Sequence, residues 1–127
     1  MKTLELTGAA LNWAVAKCEG ITDWDSVDLV FRDDEFCWFE PSANWAQGGP
    51  IIERESIFVL REQSGFKGRR LWAATSGQNK AIGLNEDSIK LYRNKFYFGA
   101  TPLIAAMRCY VASKLGDQVD VPDELHP

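Results

Sequence analysis

Residues 44 to 55, NWAQGGPIIERE, gather the groups of this chain best suited to bind something. Trp45 offers a stacking face and Gln47 a hydrogen-bonding edge, while Gly48 and Gly49 can take backbone angles closed to other residues and present their amides to a ligand. Arg54, between Glu53 and Glu55, has the planar fork that clamps a carboxylate or phosphate through two parallel N–H bonds. A second anion-binding feature lies beyond Gly99, where Thr101 at a helix cap and Pro102 at the first helical position leave backbone N–H groups at the positive end of the helix dipole. Trp45, Gln47, Gly48, Gly49, Arg54, Gly99 and Thr101 are therefore the candidate ligand-binding residues. Their chemistry suits a planar, phosphate-bearing ligand or a partner's peptide. Each also has a plainer reading. Gly48-Gly49-Pro50 can be a tight turn with Trp45 as a core aromatic folded beneath it, residues 53 to 55 a solvated strand edge, and Thr101 a cap that satisfies its helix internally.

Catalysis is poorly served by the remaining residues. The single histidine, His126, stands next to the end of the chain, a poor place to build a Ser/His or Cys/His pair. No C-x-x-C, H-E-x-x-H or acidic calcium-loop spacing occurs, so no metal and no cofactor is expected. Asp23 with Asp25, and Asp33 with Asp34, are carboxylate pairs of the kind that more often cap or solvate turns than move protons. Lys67, Arg69 and Arg70 form the only dense basic patch, and a solvent-facing loop accounts for it. The expected catalytic set is empty.

The elements that would hold these groups follow from the hydrophobic pattern. Thr7 as cap, Leu11, Ala14, Val15 and Cys18 at helical spacing and Gly20 as terminator predict a first helix over 8–19. Apolar alternation from Val27, broken at Arg32 to Glu35 and resumed at Phe36 to Phe39, predicts a hairpin. Pro41 to Pro50 reads as a loop ending at Ile51-Ile52. Strands are expected over 57–60, 71–74 and 89–92, separated by turns at 63–68, 76–80 and 93–95. Thr101, Pro102, an apolar face of Leu103, Met107, Tyr110, Val111 and Leu115, and Gly116 as stop predict a second helix over 102–115. Residues 117–127 form an acidic tail in which Val119 and Val121 can pack. The pattern implies an α+β fold, a mainly antiparallel sheet with two helices packed on it.

At 127 residues the chain suits one domain with its own core. Its hydrophobic content of 46% is that of a globular protein, and a formal charge of −4 disfavours general binding to nucleic acid. A nucleic-acid contact would need Lys67, Arg69 and Arg70 to join Lys80, Arg93 and Lys95 on one face, giving steep salt dependence. Cys18, Cys37 and Cys109 are an odd, widely spaced set among apolar neighbours, as reduced thiols usually are. The amino-terminal stretch after Lys2 is broken by Glu5, Asn12 and Lys17 and does not resemble a signal peptide, and no apolar run approaches a membrane span. No membrane partner is expected.

Three strings carry a resemblance: LTGAALNWAVAKCEG at 6–20, NWAQGGPIIERE at 44–55 and TPLIAAMRCYVASKLGDQVDVPDEL at 101–125. They closely resemble the NinX-like family of small proteins encoded by tailed bacteriophages and prophages of enteric bacteria. The resemblance covers roughly half the chain by eye and brings no catalytic residue with it; the stretch from Ser56 to Tyr97 is this chain's own variation. It implies a phage accessory protein acting in the host bacterial cytoplasm. The leading expectation is a non-enzymatic binding protein used in counter-defence, sequestering a nucleotide-like small molecule through Trp45, the Gly48 and Gly49 amides, Arg54 and the Thr101 helix end. The alternative is a protein–protein inhibitor of a host protein, presenting aromatics such as Trp24, Trp38 or Phe66. A homo-oligomer is compatible with either, since small aromatic-rich sheets often complete their core by pairing.

Overall fold

The computed structural model describes residues 1–20, 29–32, 35–61, 71–76 and 96–125. The strand expected over 89–92, the basic residues Lys67, Arg69, Arg70, Lys80, Arg93 and Lys95, the acids Asp23, Asp25, Asp33 and Asp34, and Trp24, Phe66 and His126 lie outside them. A 3₁₀ turn at Thr3–Glu5 leads into helix α1, Gly8–Cys18. An antiparallel pair follows, β1 at Leu29–Arg32 and β2 at Glu35–Trp38, in the register Leu29 to Trp38 and Arg32 to Glu35. Helix α2 covers Trp45–Arg54. Strands β3 (Ile57–Arg61), β4 (Trp72–Ser76) and β5 (Tyr97–Gly99) make an antiparallel sheet in the order β3-β4-β5, and helix α3 covers Pro102–Leu115. This is an α+β fold.

Helix α3 is the centre of the molecule, in contact with all three strands of that sheet, with α1 and with α2. Its composition explains the position: Leu103, Ala105, Ala106, Met107, Cys109, Tyr110 and Val111 are all buried, an apolar surface too broad for a helix with one wet face. Thr101 caps it, its Oγ1 accepting from the Ile104 N–H at 3.1 Å, and Gly116 ends it at φ 86°. Ile57, Val59, Trp72, Ala74 and Tyr97 share the sheet face that joins the α3 core. From the other side α1 contributes Ala10, Leu11, Trp13, Ala14, Val15 and Ala16. The tail closes the core: Val119 and Val121 are buried, and Met1 to Thr3 pair with Asp117 to Val119 through backbone bonds of 2.9 Å.

Two differences from the sequence-based expectation matter. The described residues hold three α-helices rather than two, because 45–54 is helical where a loop and a charged strand edge were expected. Strand β5 also precedes α3 where no strand was expected. The helix forms for reasons that overrule its glycines and proline. Asn44 Oδ1 accepts from the Ala46 N–H at 2.9 Å, and Gln47, Gly48 and Ile51 face inward at helical spacing. Pro50 removes the N–H that would bond the Ala46 carbonyl, but it stands on the exposed side, where water can take that carbonyl. Neither Gly48 nor Gly49 has a positive φ, so the special backbone angles expected of them are not used.

Candidate functional site

Helix α2 divides the NWAQGGPIIERE string into two arcs. At 100° per residue, Gln47, Gly48 and Ile51 point to the core, and Trp45, Ala46, Gly49, Pro50 and Glu53 point away from it.

The inner arc is committed to packing. Gln47 is 6% exposed, and its Oε1 accepts the Glu40 backbone N–H at 2.6 Å, closing the turn that enters the helix. The same turn is tied to α1 through Asn12 Oδ1, which accepts from the Ser42 N–H at 3.1 Å and the Ser42 hydroxyl at 2.7 Å. Gly48 is a contact point. A Cβ there would come within 2.5 Å of the Pro41 carbonyl oxygen and 2.6 Å of Leu103 Cδ2, so only glycine lets α2 sit this close to α3. Gly49, one residue on, has nothing within 4 Å of such a carbon.

Arg54 is spent in the same way at the end of α2. Its Nη2 donates to Glu19 Oε1 at 2.7 Å and to the Tyr110 hydroxyl at 3.2 Å, and its Nε to Glu55 Oε2 at 3.3 Å. Lys114 reaches the other Glu55 oxygen at 3.1 Å. The group thus joins the carboxyl ends of α1, α2 and α3 with its charges cancelled. The Glu19 hydrogen bond holds the Arg54 guanidinium above its ordinary range. Burial pushes the Glu55 carboxyl up, but the hydrogen bonds from Lys114 and Arg54 outweigh it and leave the group below the usual carboxylate value. Burial raises the Tyr110 hydroxyl to about 12 and the neighbouring Cys18 thiol to about 11, so both stay protonated and weakly nucleophilic at neutral pH.

Gly99 and Thr101 sit at the far end of α3 and serve it. A Cβ on Gly99 would meet the Ala105 amide at 2.6 Å and Ile104 Cγ2 at 2.8 Å, and the Thr101 hydroxyl already accepts one of the amides a ligand would use. Trp45 and Arg54, nine residues apart on one helix, lie about two and a half turns from each other and so on opposite sides. The candidate residues are thereby distributed: Gln47 and Gly48 in the core, Arg54 in an ion network, Gly99 and Thr101 under α3, Trp45 and Gly49 outward. Trp45 is 57% exposed, which rules out the core-aromatic reading.

Sequence reasoning missed the outer arc as a surface and Arg108 as a clamp. The Arg108 Nε donates to the Leu6 carbonyl at 2.8 Å and its Nη1 to the Phe98 carbonyl at 2.7 Å, tying the entry of α1 to β5, and desolvation lowers its pKa. The outer arc had a legible signal, since Asn44 and Gln47 have the spacing of a helix-start capping pair.

The arrangement defines an α+β protein with one face of helix α2 packed on the core and the other turned to solvent. Its sequence matches the family model described as Bacteriophage P22, NinX over residues 2–114, and the chain belongs to that phage family. Comparison with curated proteins returns no match. Among the described residues no helix is long and apolar enough to cross a membrane.

Proposed function

We propose that this phage protein is a non-enzymatic binding protein that grips a host protein through the outer arc of α2, with Trp45 as the anchor. The observation that carries the reading is the 57% exposure of Trp45 on a helix whose other face is fixed in the core. Tryptophan is costly to leave in water and is the residue most enriched at binding hot spots, where a rigid platform limits the ordering cost of association. Interference with a host defence or regulatory protein in the infected cytoplasm is the use that suits an accessory phage product of this kind. Sequestration of a nucleotide-like molecule has less support, because it asks Trp45 and Arg54 to converge from opposite sides of one helix.

The test compares wild type with Trp45→Ala, both tagged, produced in infected host cells and chemically cross-linked. One host protein is expected to be retained by the wild type and lost with the variant at equal yield and equal helix content. Identical retention would sink the proposal. A nucleotide-sized mass carried by the purified wild type in native mass spectrometry would replace it with the sequestration reading.

A further inference from the structure

We draw no further inference here: the strongest candidate, the half-buried Arg108 guanidinium beside the amino end of helix α1, where the Thr7 side chain caps no amide, carries nothing, because its two hydrogen bonds are spent on the Leu6 and Phe98 carbonyls and nothing else in the structure points to a ligand at that helix end.

Discussion

The two arcs of α2 share ten residues and have opposite fates. On the inner arc every group is accounted for, Gln47 by a backbone N–H, Gly48 by two atoms that leave no room for a methyl, and Ile51 by the core. On the outer arc, a Cβ at Gly49 would meet open space and Trp45 faces water. The contrast teaches that a tightly worded string need not be one site. Half of its wording serves the packing of a glycine-bearing helix against α3, and the other half is free to serve function.

Substitutions can break or sharpen that contrast. The largest effect is expected at Gly48, where alanine drives its Cβ against the Pro41 carbonyl and should cost about 3 kcal/mol in denaturant unfolding. Gln47→Ala, which strands the Glu40 N–H in a part-buried turn, should cost about 2 kcal/mol by the same measurement. Gly49→Ala, one residue from the first site, should instead stabilise by about 0.5 to 1 kcal/mol, since the helix gains propensity and nothing is struck. Equal destabilisation by alanine at 48 and 49 would erase the distinction between the arcs.

A smaller effect should appear with pH. The Glu55 carboxyl is held below its ordinary value of 4.5, so its contribution is fully present above that value and is lost as pH falls through the lower value of the folded state. Unfolding curves of the wild type should therefore weaken on acidification below 4.5 more than those of Glu55→Gln. The difference should be modest, because Arg54, one of its partners, is half exposed. The smallest stability change belongs to Trp45→Ala, within about 0.5 kcal/mol of wild type, as befits an exposed side chain.

Much of the frame was legible in the sequence where several local signals agreed. Thr101, Pro102 and Gly116 fixed both ends of α3, and the helical spacing of Leu11, Ala14, Val15 and Cys18 placed α1 to within a residue. The β1–β2 hairpin followed from alternation, strands β3 and β4 lie within two residues of their expected bounds, and the packing of Val119 and Val121 followed from their types. Helix α2 was not read because Gly48-Gly49-Pro50 has the composition of a turn, which outweighs the capping pair of Asn44 and Gln47. What overrides that composition is tertiary: the close seat of Gly48 against Pro41 and Leu103, and a Gln47 that bonds Glu40. The candidate residues were chosen by type, and type could not say which side of a helix each would face. Once the helix is known, its periodicity sorts them. Strand β5 escaped for a related reason, since three residues before a strong helix carry too short a pattern to separate from its lead-in.

The most direct test of the division places a photoreactive phenylalanine analogue at position 45, and separately at the exposed Phe58 of the sheet, in protein made during infection. A discrete covalent adduct with one host protein from position 45, absent from position 58, is the predicted result. No adduct from position 45, or the same adducts from both positions, would contradict the assignment of the outer arc of α2 as the binding face.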